Sequence, residues 1–193
     1  MGFKYPIDTY ESLEPCIRIG ADGSEMDIQL TKDSVLVVHH NSNLNESTLC
    51  SGTINDKLWS EIWGCHYASP FSSTINLRSV NDLLLSIPEL RQKTITFDCK
   101  LYSNASDHTA YLDQYANAII RLMSDYDIPA ERLFIESQDT AFLNVLKTKQ
   151  ADLRLFIYPA NFEEGFARAK TMNLFGITIS NDKIGRASCR ERV

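Results

Sequence analysis

Two acidic residues and two histidines stand close together near the start of the sequence. Glu25 and Asp27 are two residues apart in the stretch GSEMDIQL, and His39 and His40 end the apolar run that follows. Side chains two apart on a strand share one face, where two carboxylates repel each other unless a cation binds them. Carboxylate oxygens suit Ca²⁺ or Mg²⁺, and a nearby imidazole can act as a general acid or base. The alternative is a solvated strand face with no bound ion.

A tight turn would return a histidine to these carboxylates. Two predicted strands, residues 24–30 and 35–40, are separated by too few residues for a crossover helix, so they must pair as an antiparallel hairpin. We expect paired residue numbers to sum to about 65, which places His40 opposite Glu25. A shift of one residue would put His39 in the place of His40.

A second strand carries a similar pair of charges. In TITFDCK, Asp98 and Lys100 share one face of a strand whose other residues are mostly apolar. The acid could join a metal site and the amine could pair with a phosphate or with the acids; the alternative is a structural ion pair. Glu136 and Ser137 end another predicted strand and are secondary candidates. We expect five other charged residues to be solvated surface: Lys4, Asp8, Arg18, Arg78 and Lys93.

The second half of the chain alternates strand and helix, which predicts a parallel sheet with crossover helices. The strands are largely apolar, as is typical of a sheet covered on both faces, and functional sites in such folds collect at the carboxyl ends of strands. The predicted strands are residues 93–101, 132–137, 153–159 and 175–180, and the predicted helices are 107–126, 139–151 and 161–173.

Composition excludes some functions. The chain has 193 residues and a net charge of -6, which disfavours nucleic-acid binding because that needs a basic surface. No apolar run approaches the roughly 18 residues that a membrane span needs, and no CxxC spacing indicates a zinc site. Cys50 and Cys65 lie in one polar segment and could form a disulfide or remain two free thiols.

Several motifs resemble those of one enzyme family. The run GADGSEMDIQLTKDSVLVVHHN, residues 20–41, is similar to the metal-site region of the glycerophosphodiester phosphodiesterases, and the LNESTLCSGTI that follows also fits. PIDTYES resembles the family's Pro-Glu-Asn-Thr segment, and TITFDCK resembles a strand that usually reads Glu-x-Lys. The resemblance runs over about residues 5–183.

The resemblance implies a fold and a mechanism. It implies an α/β fold, a TIM-type (β/α)₈ barrel that is incomplete at both ends and carries an early β-hairpin. It implies hydrolysis of a glycerophosphodiester to glycerol 3-phosphate and an alcohol, a reaction of lipid metabolism. Glu25, Asp27 and Asp98 would hold one Ca²⁺ or Mg²⁺, His40 would be the catalytic acid or base, and Lys100 would bind the substrate phosphate.

Departures from the family pattern qualify this expectation. Ile7 and Asp8 stand where the family has Glu-Asn, Asn41 replaces an Asp, and Asp98 replaces a Glu. The family's His-Arg-Gly triplet, which carries the second catalytic histidine, would precede residue 1. A complete barrel typically needs about 250 residues. We therefore expect residues 1–183 to be part of a phosphodiesterase barrel that is inactive by itself.

Both chain ends affect what is expected of the whole protein. Residues 184–193, IGRASCRERV, resemble a translated sequencing adapter, and we expect them to be non-native. The first residues have no signal-peptide pattern. Because many members of the family are exported, we favour a periplasmic or secreted protein over a cytoplasmic one.

Three alternatives remain open from the sequence. The first is another metal-dependent phospholipid phosphodiesterase on the same barrel. The second is a catalytically decayed relative, for which the changes at Ile7, Asn41 and Asp98 are typical. The third is a carbohydrate-binding or structural α/β domain without a metal.

Overall fold

Seven strands form one sheet in the computed structural model, which describes residues 5–68 and 74–180. Their order across the sheet is β3-β2-β1-β4-β5-β6-β7. The strands are β1 Gly23–Leu30, β2 Leu36–Val38, β3 Arg78–Ser79, β4 Thr94–Cys99, β5 Leu133–Ser137, β6 Arg154–Ile157 and β7 Gly176–Ile177.

Six α-helices connect and cover these strands in the described residues. They are α1 Tyr10–Arg18, α2 Trp59–Ile62, α3 Val80–Ser86, α4 His108–Asp125, α5 Thr140–Lys149 and α6 Phe162–Thr171. The crossover helices begin where side-chain oxygens accept backbone N–H groups of the first turn: Asp107 caps α4, Asp139 caps α5 and Asn161 caps α6.

Five strands run parallel, and four consecutive pairings join them: β1 with β4, β4 with β5, β5 with β6, and β6 with β7. The predicted α/β fold with a parallel sheet is confirmed. Over the described residues the sheet does not close into a barrel, since β3 and β7 lie at its two edges.

The two faces of the parallel sheet differ, contrary to the expectation of strands covered on both sides. In β4 the buried residues Ile95, Phe97 and Cys99 alternate with half-buried Thr94, Thr96 and Asp98. The buried residues pack with the crossover helices in the main core, while the other face carries the polar side chains. We call this second surface the inner face; it holds the candidate site.

The early hairpin forms with a register different from the one expected. Ile28 pairs with Val38 and Leu30 with Leu36, and the His39 N–H donates to the Asp27 carbonyl at 2.8 Å. The expected pairing of His40 with Glu25 is wrong by one residue, and the alternative register, with His39 on the Asp27 face, is the one found.

A second, smaller core lies beyond the hairpin. It is formed by Val37, Leu44, Ile54, Ile62, Cys65, Tyr67, Ile75 and Leu77. Cys50 and Cys65 are joined by a disulfide with their Cα atoms 5.9 Å apart. Of the two possibilities left open by the sequence, the structure has the disulfide. The expected non-native segment 184–193 and the predicted surface residue Lys4 lie outside the described residues.

Candidate active site

Three carboxylates form a row across neighbouring strands. Asp27 of β1 pairs in register with Asp98 of β4, and Asp98 pairs in register with Glu136 of β5. Residues in register on neighbouring parallel strands project from the same face, so all three side chains lie on the inner face, near the carboxyl ends of the strands. This is the edge of a parallel sheet at which ligands usually bind.

Glu25 lies two residues before Asp27 in β1 and adds a fourth carboxylate. One ligand oxygen each of Glu25, Asp98 and Glu136 lies within 4.8 Å of the others. Asp27 is not part of this group of three. The structure thus brings two of the three predicted metal ligands, Glu25 and Asp98, together with Glu136, which the sequence indicated only as a secondary candidate.

Lys100 joins the remaining carboxylate to the cluster. Its ammonium lies 2.9 Å from Asp27 Oδ1 and 2.5 Å from Asp98 Oδ2, and all three side chains are largely buried. Burial alone would lower the pKa of Lys100, but the hydrogen bonds and charges of Asp98 and Asp27 raise it above its usual value. Lys100 is therefore a permanent positive charge beside the cluster.

Burial and nearby negative charge raise the pKa of two members of the cluster. Burial removes part of the hydration of Glu25. Together with the charges of Asp27, Asp98 and Glu136, this raises the pKa of Glu25 to about 7. Burial also raises the pKa of Glu136, opposed by a hydrogen bond from the Thr178 hydroxyl. Burial is the largest cause of both shifts, and the neighbouring negative charges add to it.

Asp8 lies in this site although the sequence predicted it at the surface. The residue is 8% exposed, and its Oδ1 accepts the backbone N–H of Asp27 at 3.3 Å. Burial, with the nearby charges of Asp27 and Glu25, raises the pKa of Asp8 to about 9. The surface prediction is wrong because Asp8 adopts a positive φ of 58° just before α1, which turns the chain toward β1. The sequence signal that could have placed Asp8 in the site was its position in the segment that resembles the family's Pro-Glu-Asn-Thr.

The two histidines occupy different environments. His40 lies past the end of β2, is exposed, and its Nδ1 contacts Asn41 Oδ1 at 2.9 Å. His39 is 1% exposed, and burial lowers its pKa to about 4. Asn41 occupies the position of the family's Asp and still contacts the His40 ring through an oxygen.

A small cavity opens beside the charged residues. Its volume is about 220 Å³, and it reaches from Asp98 and Lys100 to the loop after β5. The other polar lining residues are Tyr102, Ser137, Gln138 and Asp139. The cavity therefore lies beside two members of the cluster, Asp98 and Lys100.

Comparison with known families decides the identity of this chain. The family model described as "Glycerophosphoryl diester phosphodiesterase family" matches residues 1–178. The chain belongs to the glycerophosphoryl diester phosphodiesterase family. The predicted family is confirmed, and with it the TIM-barrel type of the open parallel sheet.

Curated relatives match this chain over short stretches. A glycerophosphodiester phosphodiesterase of Bacillus altitudinis is 43% identical over 63 residues, which is 32% of this chain and 26% of the relative. A glycerophosphodiester phosphodiesterase of Caldanaerobacter subterraneus is 39% identical over 57 residues, or 30% and 24% of the two chains. The aligned part thus spans about a quarter of these relatives' length.

Solved structures share the fold at low sequence identity. An Oleispira antarctica phosphodiesterase, solved in complex with the product sn-glycerol-3-phosphate, has a TM-score of 0.78 at 15% identity, covering 97% of this chain and 74% of its own. A glycerophosphodiester phosphodiesterase from Parabacteroides distasonis has a TM-score of 0.71 at 19% identity, covering 89% and 65%. These likenesses establish the fold.

Proposed function

We propose that this protein is a divalent-cation-dependent glycerophosphodiester phosphodiesterase. The observation that carries the proposal is the grouping of carboxylates and Lys100 on the inner face of a sheet that belongs to this family. The reaction would release glycerol 3-phosphate and an alcohol from a glycerophosphodiester. The product bound by the Oleispira antarctica phosphodiesterase supports this class of substrate.

The donor set fits a hard cation. Glu25, Asp27 and Asp98 offer oxygen ligands of the kind that Ca²⁺ and Mg²⁺ prefer, and the partly buried cluster carries more negative charge than Lys100 offsets. We assign these three residues to the cation. When bound, it would neutralise phosphate oxygens and orient the attacking hydroxyl.

The remaining groups have separate tasks. Lys100 places a fixed positive charge where negative charge develops on the phosphate. His40 transfers a proton as a general acid or base, and the Asn41 side chain orients its ring from the Nδ1 side. The cavity beside Asp98 and Lys100 would receive a small substituent of the substrate.

The proposed mechanism needs a second histidine, from the family's His-Arg-Gly triplet. The 193 residues do not include this triplet, so we expect no turnover from them alone, and we expect turnover from a version to which the triplet has been added ahead of Met1. The assay is release of glycerol 3-phosphate from glycerophosphocholine and glycerophosphoethanolamine, with Ca²⁺, Mg²⁺ or EDTA. Turnover should require the extension and a cation, and should fall at least about 100-fold in His40→Ala.

Two results would contradict the proposal. Turnover by the extended protein that is unchanged in EDTA would remove the cation from the mechanism. A folded extended protein that hydrolyses none of these diesters would favour the catalytically decayed relative instead.

We also propose that the protein is exported to the periplasm or secreted. The Cys50–Cys65 disulfide supports this, because disulfides persist mainly in oxidising compartments. Among the described residues, no helix is long and apolar enough to cross a membrane.

A further inference from the structure

Glu136 is the member of the acidic cluster that the resemblance to the family did not assign. It is the next-to-last residue of β5, is 9% exposed, and pairs in register with Asp98. One of its oxygens lies within 4.8 Å of ligand oxygens of both Glu25 and Asp98. A single ion placed among the three could contact all of them with only small side-chain movements, since Ca²⁺–oxygen distances are roughly 2.3–2.6 Å.

The charge around Glu136 is unbalanced when the cluster is ionised. Glu25, Asp27, Asp98 and Glu136 carry four negative charges when ionised, and within residues 5–68 and 74–180 the ion pairs of these carboxylates are made by Lys100 alone. Four negative charges and one positive charge leave a net -3. The hydroxyl of Thr178 donates a hydrogen bond to Glu136 Oε2 but is neutral. Partly buried negative charge of this size is unfavourable without a counter-ion.

A second observation comes from the opposite side of the cluster. Asp8 is 92% buried, and its Oδ2 has no hydrogen-bond donor among the described residues. This carboxyl group contacts Asp27 through the Asp27 backbone N–H. The described side chains thus leave a buried carboxyl oxygen beside Asp27 without a partner, as expected where the chain leaves room for a ligand.

Asp27 and Glu136 differ in their contact with Lys100. It engages Asp27 Oδ1 directly at 2.9 Å, so that oxygen already has a cationic partner. Glu136 has no ion-pair partner in the described part of the chain. The Thr178 hydroxyl donates a hydrogen bond to this side chain, which fixes its direction without neutralising it.

We propose that Glu136 is a direct ligand of the divalent cation, as a fourth carboxylate beside Glu25, Asp27 and Asp98. The inference rests on the cation site of the proposed function. A fourth carboxylate raises the negative charge of the site and should raise its affinity for the cation. The alternative is a structural role, in which Glu136 only ties β5 to Thr178.

The test is direct binding of the cation by the 193-residue chain. Isothermal titration with CaCl₂ and with MgCl₂ gives the Kd of the wild type, Glu136→Gln, Glu136→Asp and Glu25→Gln. Glu131→Gln is the matched control, since it makes the same change in charge at an exposed position preceding the same strand. Circular dichroism and melting curves in EDTA establish that each variant is folded.

We expect Glu136→Gln to weaken binding roughly tenfold to 100-fold, Glu136→Asp to weaken it less, and Glu131→Gln to leave it unchanged. In EDTA, Glu136→Gln should melt at or above the wild-type temperature because it removes a repelling charge. Excess Ca²⁺ should raise the melting temperature of the wild type more than that of the variant.

Each other outcome overturns the inference in a recognisable way. If Glu25→Gln loses binding while Glu136→Gln keeps the wild-type Kd, Glu136 is structural and the cation site of the proposed function stands. If Glu136→Gln is destabilised in EDTA as much as in Ca²⁺ and its Kd is unchanged, its role is the contact with Thr178. If the folded wild type binds neither cation, the inference and the proposed cation site fail together.

Discussion

The ionisation of His39 differs between the folded and the unfolded chain. Its ring is buried, its Nε2 has no hydrogen-bond partner among the described residues, and burial lowers its pKa from 6.5 to about 4. The unfolded chain therefore binds a proton at this position between pH 6.5 and pH 4, whereas the folded chain does not. Stability linked to His39 is complete above pH 6.5 and is lost as the pH falls toward 4.

Replacing His39 should remove this pH dependence. We expect the free energy of unfolding of His39→Leu, relative to the wild type, to rise by on the order of 3 kcal/mol between pH 7 and pH 4. Urea denaturation at several pH values measures the difference, and His40→Ala serves as the control because His40 is exposed. Parallel curves for the wild type and His39→Leu would show that His39 is protonated inside the folded chain.

Residue types alone indicated much of the site. The spacing of Glu25 and Asp27, and the charged pair Asp98 and Lys100, were sufficient to place four groups on the inner face. Asp8 could not be found this way, because its burial depends on a single left-handed backbone residue that no composition rule signals. The role of Glu136 depends on which strands become neighbours, which is a property of the sheet.

The hairpin is the element that decides which histidine faces Asp27. Sequence spacing fixed its antiparallel direction but left the register uncertain by one residue, since a turn of similar length allows both pairings. The observed register places the ring of His39 near Tyr67, with centroids 6.3 Å apart, within the smaller core. His40 is exposed to solvent.

The disulfide stabilises the segment that packs against this hairpin. Cys50 and Cys65 close a loop with a sequence separation of 15, and Cys65 is part of the smaller core. A loop of this size is worth about 3 kcal/mol in a chain-entropy treatment. The smaller core should therefore depend on the disulfide more than the main core does.

Reduction should reveal this dependence. We expect dithiothreitol to lower the free energy of unfolding of the wild type by about 3 kcal/mol and the double variant Cys50→Ser/Cys65→Ser to show the same loss without reductant. Hydrogen exchange should accelerate in residues 44–67 before it does in β4 and β5. Cys16→Ser is the control, because Cys16 is a free cysteine. A wild type that is equally stable with and without reductant would contradict the prediction.

At the scale of the whole molecule, the site is a property of the open sheet. The alternation of strands and helices predicted that β4, β5, β6 and β7 run parallel, because crossover helices force that direction. It did not predict that the inner face would carry half-buried polar residues, because the burial of a strand face depends on what covers it. Glu25, Asp98 and Glu136 come from three separate strands, and only the assembled sheet brings them together.

The proposed activity depends on a cation among these carboxylates, and a crystal structure that locates this cation is the most direct test. Mn²⁺ takes the same oxygen ligands as Ca²⁺ and Mg²⁺ and scatters anomalously. Crystals of the chain soaked in MnCl₂ should give one strong anomalous peak roughly 2.0–2.6 Å from carboxylate oxygens of Glu25 and Asp98. An ordered carboxylate cluster without such a peak, in crystals that bind Mn²⁺ elsewhere, would contradict the proposed cation site.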